Sequence, residues 1–396
     1  MVVTSSTSSS EMPRTGRFPW AFLVAILIVI VVELFLRTRD RQNLIAYPEL
    51  GVGGDQTVTY YAVREYIELG SEGDVVLVGS SQMREGVVMP RLIQRVNREL
   101  GRPVRIRNYA TRGARADVME AVVKTILEQP WKPSLMIIGL SVRDLRTQVL
   151  DLPRLAIFWR LSDWWQAFRE IGSPVTTVLP IVIRNEVSRI SYTLRYRDQL
   201  AIDLSKPLAR WFGYSVAREP NPIIGQMSWQ HVGRRGLRDL VEPRISPRRM
   251  LIMARQSYAY EEGPKPSEPQ TRRLQSLIRR IETSHVPALI VEMPVADYLQ
   301  KDLSARKLPQ EFQRSVRSLV NGTSIRFIPV SEQPFQPDRT HFVDLQHLNL
   351  PGAERFSDYL AELIVQHLSD DHAQSSPHPF ITHSFYSPEM SDSKKP

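Results

Sequence analysis

The sequence predicts an α/β domain built on a doubly wound parallel sheet, interrupted by a mostly helical insertion and preceded by one N-terminal transmembrane helix. Three observations carry this. Short apolar runs such as Val75 to Val78 stop abruptly at glycine or proline and alternate with helical patterns, as buried parallel strands joined by crossover helices do. The rhythm breaks over residues 150–267 and resumes at 268. Residues 19–36 are apolar almost throughout, with Glu33 as their one charge.

The chain divides accordingly. Residues 1–18 are rich in Ser and Thr and are expected to be a disordered tail. Residues 19–36 have no polar face, are long enough for a short span, and are expected to be a membrane anchor. The run is longer than the apolar part of a typical signal peptide and no clear cleavage site follows it, which favours an uncleaved anchor. Arg14 and Arg17 flank one side and Arg37, Arg39 and Arg41 the other, so charge does not set its orientation.

Residues 42–149 form the first part of the α/β domain. After a linker and a first helix comes Asp74-Val-Val-Leu-Val-Gly-Ser-Ser-Gln-Met-Arg-Glu-Gly86, a strand, a glycine, two serines and the first turns of a helix. Ligands of open parallel sheets bind at the carboxyl ends of the strands, which puts Ser80 or Ser81 at the mouth of a site. A serine at such a junction also serves as an ordinary helix cap. Pro90 opens a helix to Leu100, Val104 to Asn108 is a strand, and Asn108 to Gly113 is the loop at its carboxyl end. Ala114 to Glu128 is helical, and Leu135 to Gly139 is a third strand followed by Leu140-Ser-Val-Arg-Asp144.

The insertion, 150–267, holds Trp159, Trp164, Trp165 and Trp211 among helical patterns. Its aromatics are expected either to form its own small core or to line a lid, a groove or a surface near the membrane. In the second part of the α/β domain, 268–368, Thr271 to Thr283 is a helix, Ala288 to Pro294 a strand, Pro309 to Asn321 a helix, Ser324 to Val330 a strand and Pro351 to Leu368 a last amphipathic helix. Residues 369–396 are expected to be a disordered tail; the spacing of His372, His378 and His383 within it suits no ordinary metal site.

Composition narrows the chemistry. With 396 residues, 42% of them hydrophobic, the chain can bury a sizeable core. It has no cysteine, hence no disulfide and no thiolate metal site. Its +9 formal charge, from 51 Lys+Arg against 42 Asp+Glu, is scattered. That suits a solvated basic surface or affinity for anionic lipid or acidic polymer. No nucleic-acid motif and no phosphate-cradling loop is present, so neither nucleic acid nor a metal or organic cofactor is implied.

The loop before the last helix reads Asp338-Arg-Thr-His-Phe-Val-Asp-Leu-Gln-His-Leu-Asn-Leu-Pro-Gly-Ala353. A serine nucleophile needs a base to take its proton and a carboxylate to orient that base. Asp344 and His347, three apart, can supply both, and His341 is a second histidine in the same loop. Gly79-Ser-Ser81, the Asn108 to Gly113 loop and Asp344-Leu-Gln-His347-Leu-Asn-Leu-Pro-Gly352-Ala, in that order, resemble the SGNH/GDSL hydrolase superfamily over roughly residues 74–145 and 268–368. With its N-terminal anchor, the chain is most similar to the membrane-anchored branch that includes D-alanyl transfer and alginate O-acetylation proteins.

The resemblance implies an SGNH-hydrolase-like sheet, Ser81 as nucleophile, His347 as general base and Asp344 as its orienting carboxylate. Gly113 and the Ser81 N–H would hold the oxyanion. Two departures stand out: Ser80 replaces the Asp of Gly-Asp-Ser, and Arg143 stands where the third block has its oxyanion Asn. Arg143 is expected to be either a substitute donor or a structural ion-pair residue. The implied activity is a serine esterase or O-acyltransferase acting outside the cytoplasm on an acylated glycan or other cell-envelope polymer, with a membrane acyltransferase as a partner. The alternatives are a catalytically impaired scaffold in an envelope polysaccharide assembly complex, and a chance pairing of a capping serine with an Asp-x-x-His loop.

Overall fold

The structure, a computed structural model, describes residues 20–38, 56–68, 73–160, 162–165, 175–195, 251–252, 254–256, 258 and 263–374. Its centre is a five-stranded parallel sheet: β1 (Val75–Gly79), β2 (Ile106–Asn108), β3 (Leu135–Leu140), β4 (Ala288–Glu292) and β5 (Arg326–Ile328). The spatial order is β2-β1-β3-β4-β5. The chain starts in β1, steps one way to β2, then returns past β1 to β3 and continues outward. The order therefore reverses between β1 and β3, the switch point where open α/β sheets place their ligands. β1, β3 and β4 are buried at every position, which is why they read as unbroken apolar runs.

The helices lie on both faces, as right-handed crossovers require. Between β1 and β2 run the short α3 (Ser81–Glu85) and α4 (Met89–Leu100). Helix α4 packs against the last helix, α12 (Leu350–Gln374). On the other face α5 (Ala116–Leu127) packs against α9 (Glu268–Ser284). Helices α10 (Asp297–Ala305) and α11 (Leu308–Val320) join β4 to β5.

Before the sheet come α1 (Trp20–Thr38) and α2 (Gln56–Glu68). The insertion supplies α6 (Leu152–Phe158), α7 (Val175–Ile190) and α8 (Tyr192–Arg195), and no strand among its described residues. Trp164 is buried and meets Trp159 edge to face at 5.1 Å, so these two aromatics form core, whereas Trp165 is exposed. Trp211, the 1–18 tail and the chain after 374 lie outside the described residues.

Two expectations change. Helix α12 runs to Gln374, six residues past Leu368, because no Gly or Pro interrupts it there. Helix α10 has no counterpart in the sequence reading; its N-cap is Ala296, which offers no capping side chain. Helix α1 covers most of the stretch expected to be an anchor, and among the described residues no helix is long and apolar enough to cross a membrane. The one charge in that stretch is engaged. Glu33 accepts hydrogen bonds from Ser191 Oγ, Tyr192 N–H, Thr193 N–H and Thr193 Oγ1 at 2.9–3.0 Å, joining α1 to the start of α8.

Candidate active site

The turn that carries Ser80 and Ser81 is set by two glycines. Gly79 and Gly139 face each other in the β1–β3 register, and Met83 lies over both. A Cβ on Gly79 would meet Met83 Cβ at 2.7 Å, and one on Gly139 would meet the Met83 terminal methyl at 2.7 Å. Bare glycines here let α3 settle onto the sheet directly after β1. That brings Ser81, its first residue, to the carboxyl edge.

Neither serine is a cap. Ser80 holds the N-cap position with extended backbone and makes no side-chain cap bond. Ser81 Oγ instead lies 2.8 Å from His347 Nε2. The two residues therefore meet at the same end of the sheet.

The loop that delivers His347 is closed on itself. Phe342 and Leu348 form an antiparallel bridge. Val343 N–H donates to the His347 carbonyl at 2.8 Å, and Asn349 N–H to the His341 carbonyl at 2.9 Å. Asn349 does the fastening: its Oδ1 accepts from Gly352 N–H at 3.1 Å and its amide donates to the Thr340 carbonyl at 2.6 Å. Gly352 must be glycine because a Cβ there would sit 2.4 Å from the His341 carbonyl oxygen. The His-Leu-Asn-x-x-Gly pattern thus has a steric and hydrogen-bonding cause.

Inside this loop Asp344 Oδ1 accepts from the N–H groups of Gln346 at 2.8 Å and His347 at 2.7 Å, while Oδ2 lies 2.6 Å from His347 Nδ1. An ionised carboxylate only accepts. Nδ1 therefore carries hydrogen, and in the neutral ring Nε2 presents a lone pair to the Ser81 hydroxyl. Burial works against charge on Asp344, but the His347 ring and the two N–H donors outweigh it and hold the carboxyl below its ordinary range. Burial likewise disfavours charged His347, yet the Asp344 carboxylate prevails and raises it. This is the electrostatic signature of a base whose cation is supported.

His341 is not part of this constellation. Its Nδ1 lies 2.9 Å from Asp338 Oδ1, its ring meets Phe335 edge to face, and its carbonyl receives Asn349. It belongs to the scaffold of the loop.

Gly113 ends the loop that leaves β2. Tyr109 N–H donates to the Leu77 carbonyl and Thr111 N–H to the Gly79 carbonyl, so the loop runs beside the Ser80–Ser81 turn. Arg112 and Glu85 pair across the two at 3.0 Å. Gly113 has φ +67°, a left-handed conformation that favours glycine. No described group accepts a hydrogen bond from Ser81 N–H or Gly113 N–H.

Arg143 sits at the carboxyl end of β3, in a 3₁₀ turn over Val142–Leu145. Its guanidinium reaches Asp144 at 3.4 Å, long for a charge-assisted bond. Asp144 is held chiefly by the N–H and hydroxyl of Ser141, both at 2.8 Å. Arg143 and Asp144 thus form an ion pair. Its charge also opposes protonation of His347.

Three contributors lie outside the sequence reading. Gln82 donates to the carbonyls of Gln346 at 3.1 Å and Pro294 at 3.5 Å. Tyr60 donates its hydroxyl to the Arg112 carbonyl. Arg154 donates to the Gly113 carbonyl at 3.3 Å. Each bond joins segments far apart in sequence, and no local pattern signals it. Among the described residues no group of acidic and histidine side chains is arranged to hold a metal ion.

No protein-family model and no curated protein matches this sequence.

Proposed function

We propose that the chain is a serine esterase or O-acyltransferase of SGNH/GDSL type, acting on an acylated cell-envelope glycan or polymer. The observation that carries this reading is the unbroken relay from Ser81 Oγ to His347 Nε2 at 2.8 Å and from His347 Nδ1 to Asp344 Oδ2 at 2.6 Å. In this reading Ser81 Oγ attacks the ester carbonyl while His347 Nε2 takes its proton. Asp344 supports the imidazolium. The carbonyl oxygen, now negative, accepts from Ser81 N–H and Gly113 N–H. Collapse expels the alcohol, which takes the proton back from His347, and leaves Ser81 acylated. His347 then deprotonates water, giving hydrolysis, or a sugar hydroxyl, giving transfer.

Membrane attachment through α1, with a membrane acyltransferase as partner, belongs to the same proposal. It is supported by the exposed apolar side chains of α1 and by Leu179, Ile183 and Val187, which line up outward on α7.

The experiment is fluorophosphonate labelling of the full-length chain beside Ser81→Ala and Ser80→Ala. Labelling lost in Ser81→Ala and kept in Ser80→Ala is the expected result. A folded wild-type chain that takes no label would instead support the second reading, an impaired scaffold. The observation favouring that reading is Arg143, which stands in the place of an oxyanion Asn and is turned toward Asp144.

A further inference from the structure

Gly113 is held from both sides by residues that lie outside the two family-like segments. Tyr60, on α2, donates to the carbonyl oxygen of Arg112. That carbonyl and the Gly113 N–H belong to one peptide unit, which is planar and trans. Fixing the oxygen therefore fixes the N–H, and aims it away from Tyr60. On the other side Arg154, on α6, donates to the Gly113 carbonyl at 3.3 Å.

Arg154 is itself supported. Asp151 Oδ2 accepts from its guanidinium at 2.7 Å, and Asp151 N–H donates to Asp117 Oδ2 at 2.8 Å. Asp117 N–H in turn donates to Gln270 at 3.0 Å. The Arg154 guanidinium also lies 5.3 Å from the centre of the Tyr60 ring. The two clamps thus hold each other, and a Cβ on Gly113 would meet Arg154 Nη1 at 3.0 Å. Burial pushes the Tyr60 phenol up to about 12, so it stays a donor through the neutral range.

We infer that Tyr60 and Arg154 are positioning residues that aim the Gly113 N–H as an oxyanion donor, Tyr60 also polarising it through the shared peptide. A hydrogen bond accepted by a carbonyl strengthens the N–H across the same amide, as in any hydrogen-bonded chain. The inference rests on the esterase reading above and extends it. Helix α2 and the insertion become part of the catalytic apparatus.

The test uses the full-length chain with p-nitrophenyl acetate, and selective ¹⁵N-glycine labelling to follow the Gly113 amide. In Tyr60→Phe, which keeps the ring and its contact with Arg154, the Gly113 ¹⁵N resonance is expected to move upfield. kcat/KM should fall on the order of tenfold, a fraction of the 10²–10³ that loss of a whole oxyanion donor costs. The acid-limb midpoint set by His347 should not move. Arg154→Met should lower kcat/KM likewise, and Arg154→Lys should restore part of it.

A merely structural role would lower Tm and leave the Gly113 resonance and the rate per folded molecule at wild-type values; that result overturns the inference. Phosphonate labelling of the wild type separates the two levels. A labelled wild type with unchanged Tyr60→Phe kinetics sinks only the positioning role. An unlabelled wild type sinks the esterase reading and the oxyanion role with it.

Discussion

The side-chain amide of Gln82 donates to the main-chain carbonyl of Gln346 at 3.1 Å. The residue after Ser81 is thus bonded to the residue before His347. This contact sets the spacing of Ser81 and His347 without touching either. Removing it strands a part-buried carbonyl, at a cost of about 1 kcal/mol. Gln82→Leu is therefore expected to lower the unfolding free energy by that amount in urea titration, and to slow phosphonate labelling. Wild-type labelling in Gln82→Leu would show that the loop positions His347 unaided.

The acid limb of the labelling rate should report His347, whose neutral form accepts the Ser81 proton. Asp344 raises it, so the midpoint is expected above the ordinary histidine value of about 6.5. Asp344→Asn removes that support. Its midpoint should move to lower pH, and its kcat should fall on the order of 10⁴-fold. A midpoint that does not move would detach Asp344 from the base.

Arg143 acts on the same titration with the opposite sign, because its positive charge opposes the imidazolium. Arg143→Met is expected to shift the acid limb to higher pH. Its magnitude of rate loss also separates the roles: the ion pair seen here predicts less than tenfold, whereas an oxyanion donor would cost 10²–10³.

Stability should follow the same pair. His347 is raised on folding, so its contribution is complete below about pH 6.5 and is lost as pH rises through the folded value. Asp344 is depressed, so its contribution is complete above about pH 3.9 and is lost as pH falls through its folded value. The stability difference between wild type and His347→Gln, from urea unfolding, should therefore narrow at alkaline pH. A difference that widens there would reverse the assignment.

Gly352→Ala puts a methyl group 2.4 Å from the His341 carbonyl. The backbone must move, at a cost of about 1–3 kcal/mol, and the movement carries His347 with it. Loss of labelling is expected to exceed what the fall in Tm explains. Unchanged labelling would mean the loop absorbs the strain away from the site.

Much of this was legible in the sequence because each signal was local. The runs Val75–Val78 and Leu135–Gly139 read as strands because all their residues are buried. Gly79 and Gly352 stood out because backbone or side-chain neighbours occupy the place of their Cβ. Asp344 and His347 were paired by a three-residue turn. What stayed hidden was direction. Sequence spacing alone treats His341 and His347 alike, since both sit three residues after an aspartate; only packing turns one toward Phe335 and the other toward Ser81. Arg143 was ambiguous for the same reason. Tyr60 and Arg154 reach the Gly113 loop from elements with patterns of their own, and α10 begins without a capping residue.

Ser81 and His347 are 266 positions apart. During synthesis at roughly 5–20 residues per second, Ser81 emerges about 10–50 s before His347. On the proposed esterase reading its hydroxyl stays an ordinary alcohol through that interval, until the loop that carries His347 docks.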